Sequence, residues 1–319
     1  MNKKIYIAGH TGMVGSAITL RFRKEGYQNI VVRSLSDLDL RNQNAVEEFF
    51  KKEKPEYVII AAAKVGGIYA NNKYRAEFLY DNLMIETNII HSAYKTGVEK
   101  LIFLGSSCIY PRLASQPLKE EYLLSNYLEY TNEPYAIAKI AGIKLCENYY
   151  KQYSCNFFSV MPTNLYGPND NFDFQWSHVL PALIRKLHEA KLNNKKDVEL
   201  WGTGKPFREF LYVKDLADAV YFLMNQINAS ELYDNNVTHI NIGTGEDLTI
   251  SDLAKTIKKI VDYEGEIVFD TSKPDGTPKK LLDVTRLHQL GWHHMTSLEE
   301  GITKTYQWFI ENYSDIIKR

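Results

Sequence analysis

The sequence predicts an α/β protein, a doubly wound parallel sheet with a smaller α/β domain interleaved toward its C-terminal side. Three observations predict it. Short apolar runs without alternation recur along the first half, as strands buried on both faces require: Lys4 to Ala8 (KIYIA), Tyr57 to Ala63 (YVIIAAA) and Lys100 to Leu104 (KLIFL). Stretches of helical periodicity separate them, the rhythm of strand-crossover-strand units. A glycine-spaced turn, Gly9-x-x-Gly12-x-x-Gly15, stands between the first strand and the first helix.

The elements follow in order. The helix after the glycine turn runs to about Glu25, and Ile30 to Arg33 (IVVR) is the second strand. A helix over Asn42 to Lys52 leads to the third strand. A long helical pattern from Tyr74 to Thr96 stops at Gly97 and the fourth strand follows. A loop then leads into Asn132-Glu133-Pro134-Tyr135-Ala136-Ile137-Ala138-Lys139, where Pro134 marks a helix start because the amide it lacks would be orphaned there anyway. That helix runs to about Tyr153, before a fifth strand at Asn156 to Met161. Past Met161 the pattern becomes irregular. Helices are expected from His178 to Lys191, from Lys214, and over Thr249 to Tyr263. Strands are expected at Glu199 to Trp201, Glu209 to Val213 and His239 to Ile242. The sheet domain should therefore span 1–162 with parts of about 209–243, and the smaller domain 163–208 and about 244–319.

Composition excludes several classes of function. Across 319 residues the formal net charge is -1, which argues against nucleic acid or an anionic membrane as partner. No apolar run approaches the roughly 20 residues of a membrane span. The start, Met-Asn-Lys-Lys, leads directly into the first strand and leaves no room for a signal peptide, so a cytoplasmic location is expected. Cys108, Cys146 and Cys155 show neither CxxC spacing nor a disulfide framework, and no metal site is expected.

The glycine turn sits where a dinucleotide fingerprint needs it. Its glycines let the backbone approach a pyrophosphate held at a helix N-terminus, the Rossmann arrangement. Gly9, His10, Thr11, Gly12, Met13, Val14 and Gly15 form the expected cradle. An acid often ends the second strand to take a ribose 2′-hydroxyl. Here Arg33 stands instead, and a guanidinium suits a 2′-phosphate, so NADP(H) is favoured over NAD.

Tyr135 and Lys139 are four residues apart on one helical face, and a nearby cation can lower a phenol's pKa by one to three units. Tyr69 and Lys73 share that spacing, so spacing alone does not choose between the pairs. The choice comes from Leu104-Gly105-Ser106-Ser107-Cys108-Ile109-Tyr110. A serine leaving the fourth strand, followed by Tyr-x-x-x-Lys, resembles the extended short-chain dehydrogenase/reductase family. The resemblance implies that Ser106 hydrogen-bonds a substrate carbonyl and that Tyr135 delivers a proton. It further implies that Lys139 binds the nicotinamide ribose and depresses the tyrosine pKa.

Longer motifs narrow the resemblance: Asn132 to Lys144 (NEPYAIAKIAGIK), Val160 to Gly167 (VMPTNLYG), Ser177-His178-Val179, Arg208-Glu209-Phe210 and Lys273 to Asp283 (KPDGTPKKLLD). They resemble the branch of that family that epimerises C3 and C5 of GDP-4-keto-6-deoxy-mannose and reduces C4 with NADPH. Inverting a carbon alpha to a ketone needs a base and an acid on opposite faces of the ring. The resemblance gives these roles to Cys108 and His178. In an extended segment Cys108 would point to the same side as Ser106, and reference pKa values near 8.5 and 6.5 put both groups within reach of neutral-pH proton transfer. Cys146 and Cys155 match no functional position and are expected to be structural. By the same resemblance Leu104, Gly105, Pro162, Leu165 and His178 flank the cofactor. Ser107, Asn164, Lys186, Trp201, Arg208 and Lys280 touch a GDP-linked sugar. Lys186 stands where arginine would be as readily expected. A homodimer through the helices around 75–95 and 135–153 is also implied. The alternative is a C4-reductase of a related GDP-4-keto sugar, such as a heptose, with weak or no epimerase activity. The tyrosine-rich segment from Glu121 to Tyr130 matches no motif and lies where it could select the sugar.

Overall fold

The computed structural model describes residues 2–318 apart from Gln175 and Pro274, so Pro274 of the KPDGTPKKLLD motif lies outside the described residues. In chain order the strands are β1 (Ile5–Ala8), β2 (Ile30–Val31), β3 (Tyr57–Ile60), β4 (Lys100–Leu104), β5 (Phe157–Pro162), β6 (Asn164–Tyr166), β7 (Asp197–Trp201), β8 (Phe207–Tyr212), β9 (Ile240–Ile242), β10 (Asp247–Thr249), β11 (Glu266–Asp270) and β12 (Lys279–Lys280). Six of them form one sheet in the order β2-β1-β3-β4-β5-β9, and every pairing in it is parallel. This is the expected doubly wound parallel α/β sheet.

The apolar strands divide their side chains between two cores. Ile5, Ile7, Ile59, Ile102 and Phe158 face one side with the helices at Met13–Lys24 and Val213–Gln226. Tyr6, Ala8, Val58, Ile60, Leu101, Phe103 and Phe157 face the other with the helices at Gln43–Glu53, Arg75–Lys95 and Glu133–Tyr153. Burial on both faces is why these strands do not alternate in sequence. At roughly 1.5–3 kcal/mol for each large apolar side chain removed from water, the two cores dominate the stability of the sheet.

A second unit packs around a separate core formed by Leu183, Ile184, Leu187, Leu253, Ile257, Ile302 and Phe309. It holds the pair β7 and β11 and a small sheet in which β8 is flanked by β10 and β12 and also pairs with β6. β6, β10, β11, β12 and the helix Leu298–Glu311 have no counterpart among the sequence expectations. Two- and three-residue strands at register positions set by β8 carry too few residues for a periodic signal.

Boundaries differ in two places that bear on function. β2 stops at Val31, so Arg33 lies beyond the strand. Residues Ser107–Ile109 form a 3-10 turn and are not extended. No helix among the described residues is long and apolar enough to cross a membrane.

Candidate active site

Because the strands of the main sheet are parallel, their carboxyl ends share one edge, and the loops that leave it carry the candidate residues. Gly9 follows β1. Its φ of +88° is open to glycine, and a Cβ there would lie 2.7 Å from the Ala62 nitrogen. A Cβ at Gly15 would come within 2.1 Å of the Gly9 carbonyl oxygen, so the helix can approach the turn only as glycine. Gly12 donates to that same carbonyl at 3.1 Å. The helix begins at Met13, and Gly12 at its N-cap supplies no capping side chain. Unclaimed first-turn amides beside a glycine cradle suit a pyrophosphate. The buried Nδ1 of His10 also has no hydrogen-bond partner. These residues fit a dinucleotide.

Arg33 is positioned by its neighbours. Its guanidinium donates to Glu53 Oε1 at 2.6 Å and to the Val32 carbonyl at 2.8 Å, and lies 5.4 Å from the Phe49 ring centroid. The carboxylate offsets part of the charge that would attract a 2′-phosphate.

Ser106 caps the 3-10 turn, its Oγ accepting from the Cys108 amide at 3.5 Å. The turn, and not an extended strand, therefore brings Cys108 beside Ser106. A serine cap competes with the strand for local amides and ends it. Tyr135 enters from the helix Glu133–Tyr153, where Pro134 lies in the first turn as expected. Its ring packs edge-on against Phe78 at 6.4 Å, and its phenol meets the Ser106 hydroxyl. Lys139, one turn on, is buried. Its Nζ donates to the Leu104 carbonyl at 3.1 Å, stands 4.0 Å from Glu86 Oε2 and lies 5.8 Å from the Tyr135 ring centroid.

One electrostatic expectation is corrected. Burial holds the Tyr135 phenol well above its ordinary pKa, Cys108 and Glu86 add to that, and the bond with Ser106 is the opposing influence. Lys139 does not lower the phenol in this arrangement, because its ammonium is directed to Leu104 and Glu86. Nor is the Cys108 thiol near its reference value. Burial pushes it up, while Lys280, Ser106 and Lys139 pull it back.

The second unit supplies the facing side of the cleft. His178 caps the helix Val179–Leu192 with extended backbone. Its ring is surrounded by protein, which holds it below the usual histidine range, yet much of its surface stays open to solvent. That combination marks a cleft wall. The loop carrying it is pinned by Gly67, whose amide donates to the Trp176 carbonyl at 3.0 Å. Lys280 on β12 is likewise enclosed without being sealed. Burial lowers it, Cys108 raises it, and Arg208 on the adjacent β8 lowers it further. Asn164 on β6 donates to the Glu209 carbonyl at 2.8 Å. Ser107 is buried, Pro162 pairs with Ile242, and Leu165 packs against the first core. Lys186 and Trp201 form a separate group: Lys186 Nζ is 6.0 Å and Lys273 Nζ 5.8 Å from the exposed Trp201 ring.

The structure thus brings Ser106, Cys108, Tyr135, Lys139, Lys280 and Arg208 into one electrostatically connected cluster. Lys186 and Trp201 stand apart as a second cationic-aromatic patch. Tyr69 and Lys73 belong to neither. Lys73 sits among the rings of Tyr69, Tyr74 and Trp176 at 5.3–5.7 Å. Sequence reasoning missed two buried acids. Glu86 matches no motif, and its only signal is a carboxylate in an otherwise apolar stretch of helix. Glu209 lies inside Arg208-Glu209-Phe210, and only its neighbour was assigned. It accepts the amides of Thr244, Gly245 and Leu282 at 2.6, 2.8 and 2.9 Å.

Known proteins match this arrangement over its whole length. The family model of the NAD dependent epimerase/dehydratase family matches residues 5–243. The GDP-L-fucose synthase of Escherichia coli K12 is 58% identical, with 97% of each chain covered. A Campylobacter jejuni GDP-6-OMe-4-keto-L-xylo-heptose reductase is 44% identical with a TM-score of 0.94, covering 98% of both chains. A Naegleria fowleri GDP-L-fucose synthetase bound to NADP is 34% identical with a TM-score of 0.89, covering 98% of this chain and 96% of that one. The family model and full-length relatives at this identity agree with the glycine cradle and the Ser106, Tyr135 and Lys139 geometry: the chain belongs to the NAD dependent epimerase/dehydratase family.

Proposed function

We propose that this enzyme epimerises C3 and C5 of GDP-4-keto-6-deoxy-mannose and reduces its C4 ketone with NADPH, yielding GDP-L-fucose. The observation that carries the reading is the shared position of Ser106, Tyr135 and Cys108, a carbonyl-polarising pair beside a thiol. Similarity at 58% identity to the Escherichia coli GDP-L-fucose synthase supports the sugar.

Ser106 and Tyr135 would donate to the C4 oxygen, stabilising the enolate that forms when a neighbouring carbon loses its proton. Cys108 would act as base and His178 as acid on the opposite ring face, His178 being held mostly neutral and therefore dependent on a proton from the cleft. Bound NADPH would supply hydride to C4, and Tyr135 would protonate the resulting alkoxide. Gly9 through Gly15 and Arg33 would hold the cofactor, with Leu104, Gly105, Pro162, Leu165 and Lys139 along the nicotinamide end. The NADP in the Naegleria relative supports the 2′-phosphate assignment. Lys280 and Arg208 would meet the diphosphate, with Ser107 and Asn164 along the sugar and Lys186 and Trp201 toward the guanosine. In this division the main sheet is the cofactor domain and the second unit the sugar-nucleotide domain. Exposed Tyr80, Ile137 and Tyr153 on the helices Arg75–Lys95 and Glu133–Tyr153 support a homodimer through that face.

Incubation of GDP-4-keto-6-deoxy-mannose with NADPH in heavy water tests the reading. Deuterium at C3 and C5 of a C4-reduced product is expected. Reduction without deuterium would favour the second reading, a C4-reductase of a GDP-4-keto heptose, which similarity to the Campylobacter heptose reductase supports.

A further inference from the structure

We propose that Glu86 is a positioning residue for the reduction, the carboxyl that keeps the buried Lys139 protonated. The proposal rests on the reading of Tyr135 and Lys139 given above. Glu86 lies on the helix Arg75–Lys95, which packs along the helix of Lys139. The Nζ to Oε2 separation is 4.0 Å, and the two side chains are 3% and 2% exposed. Neither carboxyl oxygen of Glu86 has a hydrogen-bond partner. The opposing helix gives up a side chain to make room. A Cβ at Gly142 would lie 3.1 Å from the Glu86 Cδ and 2.5 Å from the Phe103 ring.

An acid in such a place is costly. A buried carboxyl without partners destabilises the fold unless it is paired or neutral, and an apolar side chain would pack this helix contact better. Its location beside Lys139 is what the cost accompanies. A buried lysine tends to lose its charge, because desolvation disfavours the ammonium. Burial does lower Lys139, and Glu86 is the largest influence that raises it, ahead of Cys108. The effect is reciprocal. Burial raises Glu86, with Lys139 opposing. The two therefore titrate as a pair that keeps a proton between them through neutral pH. The other titratable groups facing the pair are Tyr135 and Cys146 from the helix Glu133–Tyr153 and Cys108 from the turn, with Lys280 beyond Cys108. Among these acids, thiols and phenols, Glu86 is the group that carries negative charge at the lowest pH, so it sets the charge of Lys139.

Two measurements on the full-length enzyme decide the matter. The first needs no turnover: 13C NMR of protein labelled at the glutamate carboxyl, with Glu86→Gln identifying the resonance. The Glu86 carbon should titrate above the range of the surface glutamates, and titration among them would overturn the proposal. The second is the pH profile of NADPH oxidation with the keto sugar. Glu86→Gln should move the alkaline limb of kcat down by about one unit or more, since one neighbouring charge is worth that much. KM for NADPH should stay within about twofold. Glu86→Asp should restore part of the shift and serves if the amide variant folds poorly. A profile for Glu86→Gln that superimposes on the wild type would sink the idea. Absence of wild-type turnover would count against the reductase reading, and the NMR titration would still decide the proton sharing.

Discussion

The Glu209 carboxylate accepts the Leu282 backbone amide at 2.9 Å and thereby ties β8 to the segment that carries Lys280. Its other oxygen accepts the Thr244 and Gly245 amides in the turn after β9. One buried side chain thus joins the main sheet, the small sheet and a cluster residue. Glu209→Ala would orphan three amides, each worth about 1–3 kcal/mol when buried unpaired. We expect a loss of at least about 3 kcal/mol in urea unfolding, with Glu209→Gln losing less because one acceptor oxygen remains. A Glu209→Ala variant as stable as the wild type would show that the clasp does not hold the second unit.

The proposed division of labour between Tyr135 and Cys108 predicts separable defects. Tyr135→Phe removes the proton donor and should lower kcat for NADPH oxidation about 10²–10⁴-fold. Cys108→Ser should retain C4 reduction while product formed in heavy water loses deuterium at C3 and C5. Mass spectrometry of the two products distinguishes these outcomes, and full deuterium from Cys108→Ser would remove the thiol from the base role.

Arg33 should govern cofactor choice. A charge-assisted bond to phosphate contributes about 1.5–3 kcal/mol, so Arg33→Ala should raise KM for NADPH about 10- to 100-fold with little change for NADH. Glu53 competes for the same guanidinium. Glu53→Gln should accordingly improve NADPH binding, and equal KM changes for both cofactors would refute the assignment.

Asp170 supplies a stability prediction with a defined pH window. Burial pushes its carboxyl up to about 7, with the Asn171 amide pulling the other way, and Oδ2 has no hydrogen-bond partner. A carboxyl raised above its unfolded value near 3.9 favours the folded state only while protonated. That contribution is complete below about pH 4 and is lost as pH rises through about 7. Asp170→Asn, fixed in the neutral form, should be more stable than the wild type at pH 8 by about 1–3 kcal/mol. The difference should vanish near pH 4. Chemical denaturation at the two pH values measures it.

The sequence by itself determined the main sheet and one half of the site. Strands buried on both faces leave unbroken apolar runs, and β1, β3, β4 and β5 were legible for that reason. Gly9, Gly12, Gly15 and Pro134 were legible because backbone geometry admits few other residues there. Ser106, Tyr135 and Lys139 followed from their order along that frame. The tertiary structure decided what depends on distant neighbours. β6, β10 and β12 exist because β8 offers them edges, and strands of two or three residues leave no period to read. The charge states of Tyr135, Cys108 and Lys139 depend on how deeply each is enclosed. The spacing of Tyr135 and Lys139 suggested a lysine that lowers a phenol. Only packing placed Glu86, from a helix some 50 residues earlier in the chain, within 4.0 Å of that lysine. Spacing in sequence fixes which side chains share a face, whereas electrostatics depends on every charge within a few ångströms, wherever in the chain it arises.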